Sequence, residues 1–136
     1  MVSKNTPFKK VLLIFSHRLT PDQERELREQ WRVGEFVYLP PELQELWSTV
    51  PPEAESLKPY LEPLFSWMAK VTRPGDLAFI QGEFGAVYLT VRQAFKLKLV
   101  PIYATSRREN RERYLPDGSV LQERIFKHVR FRIYEQ

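Results

Sequence analysis

Three short runs of apolar residues constrain the fold of this chain more than any other feature. They are Lys10–Phe15, Leu77–Ile80 and Val100–Ala104. Short continuous apolar runs, without the alternation of a half-exposed strand, are typical of parallel strands covered on both faces. Helical segments separate the runs, so the sequence predicts an α/β domain with a Rossmann-like, mostly parallel sheet flanked by helices.

The segments between the runs carry helix signals. A helix is predicted to begin after Thr20, which would be its N-cap and is followed by Pro21 and then by acidic residues and Gln23 in the first turn. This helix should run to about Arg32 and be stopped by Gly34. Its inner face should carry Leu27 and Trp31. A second helix is expected from about Ala86 to Leu97, with Val87, Val91, Ala94 and Phe95 facing inward.

The middle of the chain is rich in proline. A short strand is predicted at Glu35–Leu39, and seven of the 11 prolines then lie between Pro40 and Pro74. This density indicates short helical pieces that use proline in their first turns. Apolar residues at helical spacing predict the core-facing stripes, which are Leu43, Leu46 and Trp47, then Leu57, Tyr60, Leu61, Leu64, Phe65 and Met68.

The C-terminal segment differs in kind from the rest. It is predicted to form a β-hairpin, whose first arm includes Arg113–Leu115, whose turn is Pro116–Gly118 and whose long second arm extends through Tyr134. No internal repeat or linker separates this hairpin from the preceding segments. Residues 1–136 are therefore expected to form a single domain.

Composition excludes several kinds of chemistry. The chain has no cysteine, which excludes disulfides, thiolate nucleophiles and cysteine zinc sites. With two histidines, a metal site would need carboxylates for most of its ligands. We expect no metal and no cofactor. The longest uninterrupted apolar run, Val11–Phe15, is too short to cross a bilayer. The first five residues lack the apolar stretch of a signal peptide, so a cytoplasmic protein without membrane contact is expected.

The net charge of +4 is unevenly distributed. Residues 35–83 hold three basic and eight acidic side chains, whereas residues 107–136 hold eight basic and five acidic ones. A local basic surface suits a phosphate-bearing ligand. The alternative is a solvated hairpin with charged edges.

Polar residues follow each of the three apolar runs. In open parallel sheets, ligands bind beyond the carboxyl ends of the strands, so these residues are the candidate site. His17 is of interest because imidazole titrates near neutral pH. The candidates are Ser16, His17 and Arg18; Gln81, Gly82, Glu83, Phe84 and Gly85; Thr105, Ser106, Arg107 and Arg108; and His128 in the C-terminal arm.

Each candidate also has a structural interpretation. Ser16 could bond only its own turn, and Gly82 and Gly85 could serve only a tight strand–helix connection. Arg107 or Arg108 could simply pair with a nearby glutamate. The glycines match neither a P-loop nor a dinucleotide fingerprint.

Four stretches together resemble a known family. They are Leu12–Thr20, Gln81–Ala86, Pro101–Thr105 and Phe126–Arg132. They resemble small, stand-alone CRISPR-associated proteins of the CARF (CRISPR-associated Rossmann fold) group of type III systems. The resemblance implies a homodimer that binds a cyclic oligoadenylate, such as cyclic tetra-adenylate, across its two-fold axis. It also implies a ring nuclease that opens this messenger and switches off antiviral signalling.

The implied reaction is a metal-independent attack of a ribose 2′-hydroxyl on the adjacent phosphate. Under this hypothesis His17 transfers protons, Ser16 and the Gly82 backbone position phosphate, Arg107 and Arg108 stabilise charge, and Glu83 contacts ribose or adenine. Phe84 and Gln81 are candidates for adenine contacts. Two alternatives remain open. One is a module that binds the ring without cleaving it, and the other is a basic protein that binds RNA through its hairpin.

Overall fold

A computed structural model of the chain describes residues 8–136; the five N-terminal residues considered for a signal peptide lie outside this range. The elements follow in the order β1 (Lys9–Ile14), α1 (Pro21–Glu29), β2 (Val33–Tyr38), α2 (Pro41–Ser48), α3 (Lys58–Val71), β3 (Leu77–Ile80), α4 (Phe84–Lys96), β4 (Val100–Tyr114) and β5 (Val120–Ile133). Among these described residues, no helix is long and apolar enough to cross a membrane.

The five strands form one mixed sheet in the order β2-β1-β3-β4-β5. The pairs β1/β2, β1/β3 and β3/β4 are parallel, and β4/β5 is antiparallel. The predicted α/β class and mostly parallel sheet are thus confirmed, and the predicted C-terminal hairpin is the antiparallel pair.

Helices cover both faces of the sheet. One core lies beneath α2, α3 and α4 and includes Leu12, Ile14, Trp47, Leu61, Leu64 and Met68. The other lies beneath α1 and includes Val11, Leu13, Leu27, Phe79, Ile102 and Phe131. Alternate residues of β1 enter opposite cores, which explains why its sequence is apolar throughout.

The first helix begins as predicted and ends earlier. Thr20 forms a reciprocal capping box with Gln23 at the start of α1. The helix ends at Glu29, and Arg32 takes a positive φ of 58° in the following connection. Gly34 therefore does not stop the helix: it lies inside β2, where an added Cβ would come within 2.5 Å of the Phe8 Cβ.

Proline begins two helices in the middle of the chain, as predicted. Pro41 stands at the start of α2 and Pro59 in the first turn of α3, although Pro63 is tolerated inside α3. The predicted core stripes of both helices face the sheet. In α4 the buried residues are the small side chains of Ala86, Thr90 and Ala94. Phe95, expected to face inward, is only half-buried and borders a surface groove.

The fourth strand is longer than the sequence suggested, whereas β5 agrees with the predicted second arm of the hairpin. β4 was expected to end after Ala104, but it continues without interruption to Tyr114, paired with β5 as far as Val120. The polar stretch Thr105–Arg108 is therefore strand rather than loop. A bulge between Thr105 and Ser106 marks the point where the strands leave the packed sheet.

Candidate functional site

The strand order reverses between β1 and β3, which is where open α/β sheets bind their ligands. The loop after β1 and the loop after β3 lie side by side at this edge. The Gln81 amide donates a hydrogen bond of 3.1 Å to the Ile14 carbonyl. The structure therefore brings together two of the three polar stretches singled out in the sequence.

A surface cavity of about 420 Å³ adjoins the first loop. The Ser16 and Ser48 hydroxyl oxygens lie 3.0 Å apart, and the Gln44 side-chain amide donates to the Phe15 carbonyl at 3.2 Å. These contacts from α2 hold the loop in place. The cavity is lined by Ser16, His17, Arg18, Tyr38, Leu39, Pro41, Gln44 and Ser48.

His17 and Arg18 are the exposed functional groups of this cavity. The Arg18 guanidinium carbon lies 5.0 Å from the centre of the Tyr38 ring, a cation–π contact that orients the side chain. The Tyr38 hydroxyl accepts a hydrogen bond from the Leu19 amide at 3.3 Å. The imidazole of His17 contacts the Phe15 ring edge-on and makes no hydrogen bond to any residue between 8 and 136. Both side chains can therefore reach a ligand.

The loop after β3 uses much of its polarity internally. The Gln81 side-chain oxygen accepts from the Ala104 amide at 2.8 Å, and the Trp47 indole donates to the Gln81 carbonyl at 2.8 Å. A Cβ on Gly82 would lie 2.8 Å from the Trp47 Nε1, so packing requires glycine there. Gln81 retains only its side-chain amino group for a ligand.

The start of α4 is capped by the chain itself. The Glu83 carboxylate accepts a hydrogen bond of 2.6 Å from the Gly85 amide. This carboxylate occupies the place that a phosphate would take at a helix N-terminus. Phe84, the first residue of α4, is almost fully exposed at 94%.

A family model described as "Uncharacterized protein MJ1673 family" matches residues 9–132. The chain belongs to the MJ1673 family. It is 46% identical over 125 residues to "Uncharacterized protein MJ1673" of Methanocaldococcus jannaschii, covering 92% of this chain and 96% of that protein. No solved structure matches the chain. The match to the MJ1673 family includes both loops of the candidate site and the hairpin.

The third polar stretch lies elsewhere in this MJ1673-family chain. The Thr105 hydroxyl donates to the Arg130 carbonyl at 2.8 Å, which stabilises the bulge of the hairpin. Ser106, Arg107 and Arg108 follow in β4 and are exposed on alternate faces of the hairpin. The Arg108 guanidinium carbon lies 5.6 Å from the Phe126 ring centre. These residues are not at a strand end.

His128 is buried in the contact between α1 and β5. Its Nε2 lies 2.6 Å from the Glu26 carboxylate, which also accepts from the Phe131 amide at 2.9 Å and the Trp31 indole at 2.8 Å. Burial opposes the charge of Glu26, but these hydrogen bonds outweigh it and hold the pKa of its carboxyl below the ordinary value. The contacts of His128 are those of a structural residue, and it does not border the Ser16–Arg18 cavity.

Sequence reasoning missed the residues that position the first loop. Tyr38 is the last residue of β2, so the rule that selected the other strand ends applies to it as well. Gln44 and Ser48 are four residues apart on α2, one helical turn on its polar side. Nowhere in residues 8–136 do three histidine, aspartate or glutamate side chains meet in a way that could hold a metal ion.

Proposed function

We propose that this protein is a ring nuclease that binds a cyclic oligoadenylate at the edge formed by the loops after β1 and β3. The observation that carries the proposal is the exposed pair His17 and Arg18 at the strand-order reversal. The imidazole of a histidine is suited to proton transfer, and the guanidinium of an arginine is a permanent cation suited to binding phosphate. The strand order and the sequence resemblance to CARF proteins support the same interpretation.

In the proposed reaction a ribose 2′-oxygen attacks the neighbouring phosphorus. The bond from phosphorus to the 5′-oxygen breaks, giving a 2′,3′-cyclic phosphate and a 5′-hydroxyl. The 2′-hydroxyl loses a proton and the leaving 5′-oxygen gains one, and the His17 imidazole serves this exchange. Arg18, held over the Tyr38 ring, takes the charge-stabilising role that the sequence suggested for Arg107 and Arg108.

The test is incubation of purified protein with labelled cyclic tetra-adenylate in EDTA. We expect opening of the ring, and we expect His17→Ala to slow it by about 10²–10⁴-fold while binding is retained. The matched control is His128→Gln, which changes the other histidine, buried against Glu26. An unchanged rate in His17→Ala would reject the proton-transfer role. A ring that stays bound and intact with wild-type protein would leave the binding module as the function.

A second candidate, RNA binding by the hairpin, rests on the charge of one of its faces. Register places Arg107, Arg111, Arg113 and Lys127 on one face, with Glu109 and Glu123 between them. Two of these cations form ion pairs on the hairpin, Lys127 with Glu109 at 3.4 Å and Arg113 with Glu123 at 3.6 Å. RNA binding predicts an affinity for linear RNA that falls steeply with salt, without preference for a ring.

A further inference from the structure

A groove between α4 and the C-terminal tail leaves apolar surface of the domain uncovered. It has a volume of about 720 Å³. Phe84 and Tyr88 expose 94% and 60% of their surface along it, and Tyr134 forms part of its floor. Large exposed apolar patches on a folded domain mark surfaces that contact a partner.

The apolar residues of α4 that border the groove are Phe84, Val87, Tyr88, Val91 and Phe95; of these, Val87 and Val91 also pack against the core of their own domain. Phe84, Tyr88, Val91 and Phe95 are spaced by four, three and four residues, as in the seam of a pair of packed helices. The side of α4 that faces the sheet is a separate stripe, formed by Ala86, Thr90 and Ala94. The helix therefore has an inner stripe of small residues, which its own domain buries completely, and an outer apolar stripe along the groove, which its own domain leaves partly exposed.

Charges in the groove are complementary to one another. Arg92, Lys96 and Glu135 all border it, and none of the three forms an ion pair within residues 8–136. A second copy of the same surface would bring the opposite charge to each of them. Self-complementarity of this kind is what an isologous two-fold interface requires.

The positions of these charges also select an orientation. The Tyr134 amide donates to the Pro101 carbonyl at 2.9 Å, so Glu135 lies near the start of β4. Lys96 ends α4 four residues before β4 begins, which puts Arg92, Lys96 and Glu135 at the same end of the domain. When the outer stripes pack along their whole length, these charges meet across a two-fold axis that makes the two copies of α4 run in the same direction.

We propose that α4 and the C-terminal tail form a homodimer interface, with the outer stripe of α4 packed on that of a second copy. Glu135 of each copy faces Arg92 and Lys96 of the other. Because the two α4 helices run in the same direction, both loops after β3 lie at one edge of the dimer. A homodimer is what the CARF resemblance behind the proposed function implies, and to that extent the proposal rests on the proposed function; the surface itself is argued independently, from exposure, spacing and charge.

The experiment measures the mass of nucleotide-free protein by light scattering and its self-association by sedimentation. Wild-type protein should have twice the chain mass of 16.2 kDa. Tyr88→Arg should raise the dimer dissociation constant by at least about tenfold. The matched control, Tyr114→Arg, replaces a tyrosine on the hairpin that is 74% exposed, against 60% for Tyr88, and should change the dissociation constant by less than about twofold.

Two variants with reversed charges test whether the groove binds a second copy of the chain. Arg92→Glu and Glu135→Lys should each weaken self-association about tenfold, because like charges then meet. A mixture of the two variants should associate as a heterodimer with an affinity within about threefold of the wild type. Retained melting temperatures show that each variant is folded.

Three results would overturn the proposal. They are a monomeric wild type, dissociation by Tyr114→Arg in place of Tyr88→Arg, and charge-reversed variants that do not associate when mixed. Since no nucleotide is present, each of these results leaves ring cleavage to be decided by its own assay.

Discussion

The central strand β1 and the outer half of the β4/β5 hairpin are both β-structure, but different forces hold them. Residues Val11 to Ile14 of β1 have no exposed surface, and each side chain enters one of the two cores. Beyond Ser106 the hairpin has exposed side chains on both faces, including Tyr114, Leu121 and Phe126. Burial stabilises β1, whereas the outer hairpin depends on its cross-strand hydrogen bonds and side-chain pairs.

This difference separates what an apolar pattern can predict from what it cannot. A buried strand must be apolar, so its residues identify it. A paired but exposed strand tolerates almost any side chain, because its backbone groups are satisfied by the neighbouring strand. A polar residue therefore ends burial without ending the strand, as Thr105 does in β4.

The largest expected effect tests this contrast with one substitution in each region. Leu13→Ala should lower the free energy of unfolding by about 3–5 kcal/mol, because it leaves a cavity in a closed core. Leu121→Ala, at a leucine that is 42% exposed in the hairpin, should cost less than about 1 kcal/mol. Urea unfolding followed by tryptophan fluorescence measures both. Similar losses would mean that the hairpin is buried in solution.

The next effect concerns the contact that joins the two regions. Glu26 on α1 accepts hydrogen bonds from Trp31, His128 and Phe131, and so ties the base of the hairpin to the packed domain. Glu26→Ala leaves the buried donors unpaired and should cost about 3 kcal/mol.

The matched control is Glu24→Ala on the same helix. Glu24 makes an exposed ion pair with Arg28, which contributes little to stability. If the Glu26 and Glu24 variants unfold at the same urea concentration, the buried contact does not hold the hairpin base.

Most of the fold could be predicted because burial imposes a pattern. The runs of β1 and β3, the capped start of α1 and the apolar stripes of α2 and α3 all follow from it. Helix ends and the length of β4 could not be predicted, since they depend on contacts from distant residues. Gly34 illustrates this, because its proximity to Phe8 rather than a helix end explains the glycine.

Part of the candidate site could be predicted by the same reasoning. Polar loops after buried strands identified Ser16–Arg18 and Gln81–Gly82, and the parallel pairing of β1 with β3 brings them together. The roles of Tyr38 and Gln44 could not be predicted, because they depend on how β2 and α2 approach the first loop. His128 could not be placed either, since a bulge shifts the face on which the residues of β5 lie.

Acid provides a third test, again through Glu26. Hydrogen bonds hold the pKa of the Glu26 carboxyl in the folded protein below its ordinary value, which it has in the unfolded chain. At a pH between these two pKa values, the unfolded chain therefore binds more protons than the folded protein does. The stability that Glu26 contributes is therefore complete above about pH 4.3, the ordinary glutamate pKa, and is lost as the pH falls through the lower, folded value. The difference in urea midpoint between wild type and Glu26→Gln should narrow on acidification. A difference in urea midpoint that stays constant with pH would show that the charge of the Glu26 carboxylate does not contribute to stability.

A smaller effect is expected in the loop after β3. Gly82→Ala brings a Cβ within 2.8 Å of the Trp47 indole, which must move and weaken its hydrogen bond to Gln81, at a cost of about 1–3 kcal/mol. Gly85→Ala meets its nearest atoms at 3.3 Å, one of them in the flexible Glu83 side chain, and should cost less. Thermal unfolding compares the two. A larger loss for Gly85→Ala would contradict this account of the glycines.

The smallest effect tests what holds the outer hairpin. Arg113 and Glu123 form an ion pair of 3.6 Å between β4 and β5, and both side chains are exposed. Water and salt weaken such pairs, so a double-mutant cycle with Arg113→Gln and Glu123→Gln should give a coupling free energy below about 0.5 kcal/mol. Amide hydrogen exchange of the outer hairpin should then be nearly unchanged in the double variant, because the backbone hydrogen bonds persist. A coupling several times larger, with faster exchange in the variant, would mean that charged side chains rather than the backbone ladder hold this part of the sheet.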